Sequence, residues 1–545
     1  MFFASLLLPT NISGDLLFGA VGAGLRCVVP GRKPRAARAR TMSFGSGYMS
    51  IGSWPSDINM SDPVITAFLF LDGVPTQAAL EEACSKMLHY HNFTALPVRR
   101  PWSYSTSFEW RDIEVQPSDV ITWAKAGGSA SVLAEMDRVK DAPLRQETVD
   151  GRVLPMWGLH VIENTAEEEA GFGTVLALRV HHTLGDGMSL VSVGRAVLEA
   201  VGGGQVGMSL GGDGKSPADA VVKPANRGLS NFSVTEILRG VRDVIVTSVT
   251  AGPDTPLPFG HCEAPPNGGK AAARPHEGRL FGMLKRGKFS GSRRTVMLPD
   301  IPLVLVKKIK DASATTVNDV VMTLVAGCVR RYSEANGASS DSFGGRGFKS
   351  RALIPVALPR ASSSSRAALC NKWAFVSMDL SVDEPDPASR LEKVKATTLG
   401  VKRSPVAGLQ YLMQTHVMPH LPLWVCREMV HGALAGHTVT VSNVPGPQEQ
   451  VNFAGVGLRS VHFAFSNIMP QVGVVSLDGK MAINFVVDPV SVPDSLTLST
   501  HFLDELDALA AALGVEVSEE MSALRTQADS LAVVMEAALT AAAAT

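Results

Sequence analysis

Two adjacent histidines and an aspartate stand where an apolar run gives way to an amphipathic one. His181 and His182 follow the Val- and Leu-rich segment 175–180, and Asp186 lies shortly after them in a Gly-Asp-Gly turn. The apolar run predicts a buried strand, and the segment after Gly187 predicts a helix. A neutral imidazole is the usual side chain for taking a proton from a hydroxyl group near neutral pH. The junction therefore predicts a site for proton transfer.

Only one of the two imidazoles is expected to face that site. Adjacent residues on an extended segment point to opposite faces of the sheet, so the other histidine packs or forms hydrogen bonds. Asp186 has three interpretations, which are a cap on the following helix, an ion-pair partner that fixes the loop, and a metal ligand. The first two are favoured, because no third ligand with suitable spacing is present in the sequence.

Other kinds of chemistry find little support in the sequence. The chain contains no G-x-S-x-G nucleophile elbow, and its Gly-rich stretches lack the Lys-Ser/Thr of a P-loop. Its remaining histidines are scattered without metal-ligand spacing. The 50 Lys and Arg residues nearly balance the 51 Asp and Glu residues, so a nucleic-acid partner is not expected. We therefore expect a site with a histidine base, no metal ion and no covalent enzyme intermediate.

The chain divides into five segments by composition. Residues 1–42 form an Arg-rich leader with few acidic residues, which predicts a targeting segment or membrane-surface anchor. The alternatives are a disordered extension, or a true start at Met42 or Met49. The other segments are an N-terminal domain (43–201), a Gly/Pro-rich crossover (202–280), a C-terminal domain (281–515) and a helical Ala-rich tail (516–545). No uncharged apolar run approaches the ~18 residues of a spanning helix.

Five short motifs together resemble one protein family. His181-His-Thr-Leu-Gly-Asp-Gly187 resembles the H-H-x-x-x-D-G motif of the CoA-dependent acyltransferase superfamily. Within that superfamily, four other segments resemble elements of the bifunctional wax ester synthase/diacylglycerol acyltransferases. They are Pro155-Met-Trp157, Thr316-Val-Asn-Asp-Val-Val321, Asn371 after Ile354-Pro-Val356, and Ser442-Asn-Val-Pro-Gly-Pro447. Met156 and Cys370 depart from the family's usual Leu and Gly.

The resemblance implies a fold and a set of site residues. The fold is α/β (α+β), with two chloramphenicol-acetyltransferase-like domains and an active-site channel between them. His182 would be the general base and His181 its support. Asp186 would hold the loop through an ion pair, and Gly187 would let the backbone pass closely. The residues implied to bind substrate are Pro155, Trp157, Asn318, Asp319, Asn371 and Asn443.

The implied role of Asn318 is to polarise or position the reactants. An asparagine near a helix start is equally consistent with a helix cap, so both interpretations remain open.

The resemblance also implies an activity and a location. The chain would transfer a long-chain acyl group from acyl-CoA, as co-substrate and without a cofactor, to diacylglycerol, a long-chain alcohol or both. It would work peripherally on a membrane or lipid-droplet surface, with the endoplasmic reticulum or lipid droplet as the expected location and organelle targeting by the leader as an alternative. Two other functions are a condensation-type N-acyltransferase that uses carrier-protein thioesters, and a non-catalytic lipid-binding member of the fold.

Overall fold

The structure of the protein is a computed structural model. It describes residues 40–41, 63–99, 108–166, 173–200, 232–245, 254–259, 292–345, 347–358, 369–422, 425–426, 429, 434, 436–465 and 469–544. The predicted leader therefore lies outside the described residues except for 40–41, and the predicted crossover does so except for 232–245 and 254–259. Met1–Arg40 and Thr41–Thr545 are separate units, and the description below concerns the second.

The described strands are numbered in chain order. They are β1 (Arg40–Thr41), β2 (Val64–Leu71), β3 (Ala95–Arg99), β4 (Phe108–Asp112), β5 (Ile121–Ala126), β6 (Trp157–Asn164), β7 (Val175–His181), β8 (Leu198–Ala200), β9 (Arg294–Met297), β10 (Ile301–Pro302), β11 (Arg351–Ala357), β12 (Trp373–Asp379), β13 (Val439–Val444), β14 (Val451–Phe453), β15 (Val456–Phe465), β16 (Gln471–Leu477) and β17 (Lys480–Val487).

The described helices are numbered in the same way. They are α1 (Gln77–Leu88), α2 (Ser129–Asp141), α3 (Gly187–Val197), α4 (Val234–Ile245), α5 (Leu303–Ala312), α6 (Val317–Ala335), α7 (Ser340–Gly344), α8 (Pro387–Arg403), α9 (Val406–Leu412), α10 (Thr497–Ala512) and α11 (Ser518–Ala544). Short 3₁₀ turns span His91–Thr94, Pro117–Val120 and Met418–His420, and a π-helical turn spans Met413–Val417.

The first sheet carries the two histidines and has the strand order β5-β6-β7-β2-β15-β14-β8. Strands β2 and β7 lie at its centre, and their apolar side chains are largely buried because both faces of the sheet are covered. Strand β15 comes from the second half of the chain. It pairs with β2 in antiparallel register, from Phe465 opposite Ile65 to Leu458 opposite Leu71.

The second sheet is built from the second half of the chain. Its order is β10-β17-β16-β13-β11-β12, with β9 also paired to β17. Strands β16 and β17 form a hairpin at Asp478 and Gly479, an Asp-Gly pair typical of such turns, where both residues have positive φ (46° and 70°). The glycine tolerates this left-handed backbone, so the turn chemistry agrees with the sequence.

The predicted α/β (α+β) class is confirmed, because the chain forms two seven-stranded sheets together with helices. The segments 43–201 and 281–515 stay predictions as folding units, and their elements mix in the structure. Strands β14 and β15 complete the first sheet. Helix α11, in the predicted tail, packs on α2 through shared core residues such as Met136 and Leu524.

None of the helices in the described ranges is by itself long and apolar enough to cross a bilayer. Helices α5 and α6, which meet at a bend of 97°, would reach that length and apolarity only as a pair.

Candidate active site

The two histidines are positioned by the strands on either side of β7. The N–H of His181 donates to Met156 O at 2.9 Å, and the N–H of His182 donates to Pro63 O at 2.8 Å. The chain then turns, with Leu184 N–H donating to His181 O at 3.0 Å. Residues 181–187 are called the histidine loop below. The backbone at the start of this loop is thus hydrogen-bonded to the segments on both sides of it.

His181 is buried and its imidazole is occupied by the loop itself. Its side chain is 3% exposed, and Nδ1 accepts a hydrogen bond from Thr183 N–H at 3.2 Å. Burial lowers the pKa of His181 to about 3, and the neighbouring His182 adds to the effect. The neutral imidazole therefore holds the backbone of the loop at Thr183, and its supporting role in catalysis stays a prediction.

His182 is half-buried and faces two aromatic rings from the second half of the chain. Its ring lies edge-on to Phe465 at 5.4 Å and to Trp373 at 6.2 Å between centroids. Nδ1 is buried and has no hydrogen-bond partner among the described residues. Burial lowers the pKa of His182 below its ordinary value, while the carboxylate of Asp186 acts in the opposite direction. The imidazole is therefore neutral near pH 7, as a general base must be.

Asp186 joins the histidine loop to two other segments. One carboxylate oxygen accepts from Ser189 N–H at 3.0 Å and caps α3, and the other accepts from Lys372 N–H at 2.8 Å. The structure thus supports the cap interpretation, and the ion pair stays a prediction. A Cβ placed on Gly187 would lie 3.9 Å from Val444 Cγ2, which is an ordinary van der Waals distance, so the predicted close passage of the backbone at Gly187 stays a prediction.

Residues 369–372, called the docking segment, lie along the histidine loop. Asn371 is buried, and its Nδ2 donates to His182 O at 2.7 Å. Its Oδ1 accepts from the indole N–H of Trp373 at 3.3 Å. Ser189 Oγ donates to Cys370 O at 2.9 Å and accepts from Cys370 N–H at 3.2 Å. The structure therefore brings the predicted Asn371 to the backbone of His182.

Asn318 and Asn443 lie together at the surface. Nδ2 of Asn443 donates to Oδ1 of Asn318 at 2.6 Å, and both residues are exposed. The interpretation of Asn318 as a helix cap is wrong, because Thr316 caps α6 and Asp319 completes the capping box. Asp319 accepts from Thr316 N–H at 2.9 Å, so this carboxylate already supports the helix. Substrate contact by these three predicted site residues stays a prediction.

Pro155 and Trp157 occupy supporting positions beside β7. Both are buried, and the Trp157 indole N–H donates to Phe93 O at 3.0 Å. Trp157 also packs edge-on against the Phe93 ring at 5.0 Å. The contacts of Trp157 hold the strand next to the histidines, and the predicted contact of both residues with substrate stays a prediction.

Four residues of the site escape sequence reasoning. Trp373 and Phe465 flank His182 from distant parts of the chain, and no local pattern marks either one. Ser189 follows the motif by two residues, so a search for hydroxyls beside the loop would have found it. Asn92, which donates to two backbone carbonyls at the loop, lies in a short 3₁₀ turn with no distinguishing signal. Within the described ranges, no three His, Cys, Asp or Glu side chains are grouped for a metal ion.

Sequence comparisons point to one group of proteins. Residues 369–510 match the family model of the WS/DGAT C-terminal domain. The chain is 24% identical to wax ester synthase/diacylglycerol acyltransferase 7 of Arabidopsis thaliana over 449 residues, covering 74% of this chain and 86% of the relative. It is 24% identical to protein 5 of the same series over 388 residues, covering 65% of this chain and 71% of the relative.

Comparison with solved structures gives the same fold. The wax ester synthase/diacylglycerol acyltransferase from Marinobacter aquaeolei VT8 superposes with a TM-score of 0.53 at 14% identity, covering 87% of this chain and 100% of that chain. The first condensation domain of the calcium-dependent antibiotic synthetase superposes with a TM-score of 0.55 at 15% identity, covering 88% and 97%. At these identities the likeness concerns the fold alone.

Proposed function

We propose that this chain, a relative of the wax ester synthase/diacylglycerol acyltransferase family, is an acyl-CoA-dependent O-acyltransferase. It transfers a long-chain acyl group to the hydroxyl of diacylglycerol, of a long-chain alcohol, or of both. The proposal rests on His182, a neutral, half-buried imidazole inside the H-H-x-x-x-D-G loop that contacts one aromatic ring from each of the two sheets. The names of its relatives point to the same reaction.

The reaction needs only one proton acceptor from the protein. His182 takes the proton of the acceptor hydroxyl as that oxygen bonds to the thioester carbonyl carbon. The tetrahedral intermediate then breaks its bond to sulfur, and the imidazolium returns the proton to the departing CoA thiolate. An ester and free CoA result, and no group of the protein becomes acylated.

The surroundings of His182 suit an apolar acceptor. Phe465 and Trp373 cover the imidazole edge-on, and both side chains remain partly accessible. A thioester is already activated, so holding the two reactants together and excluding water supplies much of the remaining rate. Aromatic side chains serve both purposes for a long hydrocarbon chain.

We also infer that the chain meets its acceptor at a membrane or lipid-droplet surface, at the endoplasmic reticulum or on lipid droplets. The support is the proposed substrate, since diacylglycerols and long-chain alcohols partition into lipid. Fractionation of cells that express a tagged chain tests the location. Recovery of the chain only in the supernatant after high-speed centrifugation would contradict it.

The activity is tested with purified full-length protein and labelled palmitoyl-CoA. Parallel reactions contain hexadecanol, diolein or neither, and the products are separated by thin-layer chromatography. We expect labelled wax ester, triacylglycerol or both with wild-type protein and none with His182→Ala. Intact thioester in all reactions of the wild type would overturn the proposal, and labelled free fatty acid alone would indicate a hydrolase instead.

A further inference from the structure

One buried asparagine outside the motifs ties the histidine loop to the docking segment. Asn92 is 5% exposed, and its Nδ2 donates to Leu184 O at 2.7 Å and to Leu369 O at 3.0 Å. An asparagine Nδ2 carries two N–H donors, so both are used here. One acceptor belongs to the histidine loop and the other to the docking segment, so a single amide connects the two.

The position of Asn92 is itself fixed by the core of the first half. The next residue, Phe93, is fully buried, and its N–H donates to Tyr90 O at 2.9 Å. Its carbonyl accepts the indole N–H of Trp157. Trp157, on the strand beside the histidines, therefore holds the turn that presents Asn92. This gives the family-like Pro-Met-Trp element a physical task that does not require contact with substrate.

The other side-chain contacts to the docking segment come from that segment itself or from the continuous stretch of the histidine loop and α3. The boundary at which the histidine loop and α3 meet the docking segment is called the seam below. Three side chains form hydrogen bonds across it, those of Asn371, Asp186 and Ser189. Asn92 alone among these four lies outside the docking segment and outside the continuous stretch of the histidine loop and α3, and it is anchored in the 3₁₀ turn His91–Thr94. A side chain anchored elsewhere in the core fixes the position of both segments relative to that core. The hydrogen bonds between the segments only hold them to each other.

We propose that Asn92 is a positioning residue for the acyl transfer, which sets the place of His182 by holding Leu184 and Leu369 together. The proposal rests on the proposed function, because the consequence for catalysis requires His182 to be the base. Loss of the amide leaves the protein folded, with a looser histidine loop. The turnover number then falls more than substrate affinity does, because a small displacement of a catalytic group slows the chemical step far more than it weakens substrate binding.

The test replaces Asn92 by Asp, which keeps the shape but turns a carboxylate oxygen towards two carbonyls. Asn92→Leu is the second variant, since it removes both donors without adding charge. Asn336→Asp is the matched control, because Asn336 Nδ2 also donates to one backbone carbonyl, Tyr332 O at 2.9 Å, at the far end of α6. We expect kcat to fall about 10- to 100-fold in both Asn92 variants, with KM within about threefold. The control keeps the wild-type kcat.

Hydrogen–deuterium exchange gives a readout that does not depend on activity. The N–H of Lys372 donates to Asp186 across the contact between the histidine loop and the docking segment, so its exchange reports on that contact. The N–H of Leu184 donates to His181 O inside the histidine loop, so its exchange reports on the order of the loop. We expect faster exchange in peptides that cover 181–190 and 369–373 in the Asn92 variants, and wild-type exchange there in Asn336→Asp. Unchanged exchange, or kcat within threefold of wild type in both Asn92 variants, would overturn the proposal. If the wild type proves inactive, the proposed function fails while the exchange data still decide whether Asn92 holds the seam.

Discussion

At the scale of single residues, His181 and His182 are neighbours with opposite surroundings. Alternation along a strand predicts that one of them faces the core and one faces the site, and the structure places His181 in the core and His182 beside Phe465. That much follows from the sequence. The ring that covers His182 does not, because Phe465 is almost 300 residues away and only the pairing of β15 with β2 brings it there.

The division of labour between the histidines predicts different effects of substitution. His182→Ala is expected to lower kcat by about 10²- to 10⁴-fold, the usual contribution of a general base, while circular dichroism and thermal unfolding stay close to wild type. His181→Asn keeps an acceptor for Thr183 N–H and is expected to retain most of the activity. The assignment is reversed if His181→Asn is inactive and His182→Ala is active.

The lowered pKa of His182 predicts the acid limit of the reaction. A base must be neutral to work, and a pKa below the ordinary value near 6.5 keeps the imidazole neutral at more acidic pH. The acid limb of a kcat/KM profile is therefore expected below pH 6.5. Phe465→Ser admits water to the ring and should move that limb upward, towards the ordinary value. A wild-type limb above pH 6.5 would contradict the inferred burial of the base.

At the scale of elements, the central feature is the contact between the histidine loop and the docking segment. The motif in the loop is visible in the sequence, and so is Asn371 as a family-like position. The contact between them is not visible in the sequence. Asn371 donates a hydrogen bond to His182 O, and no local sequence pattern relates these two residues. The sequence also leaves open whether Asn318 caps α6, and the structure decides for Thr316, which forms hydrogen bonds in both directions with Asp319.

Asp186 and Asp386 form a natural pair for testing this contact. Both cap a helix through a serine N–H, at 3.0 Å and 2.8 Å, but only Asp186 also accepts from Lys372 N–H. Asp386→Ala is expected to lower the unfolding free energy only slightly, because an exposed helix cap is lost. Asp186→Ala should cost at least about 2 kcal/mol, since a second backbone donor loses its partner.

The measurement for this pair is urea unfolding together with kcat. Asp386→Ala should leave kcat unchanged, because Asp386 is exposed and its carboxylate accepts from Ser389 N–H at the start of α8. Asp186→Ala should lower kcat as the loop loosens. Equal losses of stability and activity in the two variants would show that Asp186 acts only as a cap.

At the scale of the whole molecule, the sequence predicts most helices and strands but not which of the two sheets each strand joins. The strand patterns at β2, β7, β13, β16 and β17 and the helix patterns at α1, α6 and α8 are readable from hydrophobic period and turn residues. Sheet membership is not readable in this way. Strands β14 and β15 follow β13 in the chain, yet they join the other sheet, since pairing between distant strands depends on the complete fold.

This sharing predicts that the first half cannot fold without the second. In a fragment of residues 43–201, β2 would lose its partner β15 and become an exposed edge beside an apolar core that includes Phe68. An uncovered apolar edge of this kind favours aggregation over folding. Helix α2 would also lose α11, whose Met521 and Leu524 share its core cluster.

We expect the 43–201 fragment to be insoluble or to lack a cooperative unfolding transition in circular dichroism when it is expressed alone. Co-expression with residues 281–545 supplies β14, β15 and α11, and it should return soluble protein in which both fragments co-purify. The histidine loop would then regain the docking segment, so this complex is also expected to recover acyltransferase activity, whereas neither fragment has any by itself. A cooperative transition in 43–201 alone would show that the first half is an independent domain, and that β15 only adds to a sheet that is already stable.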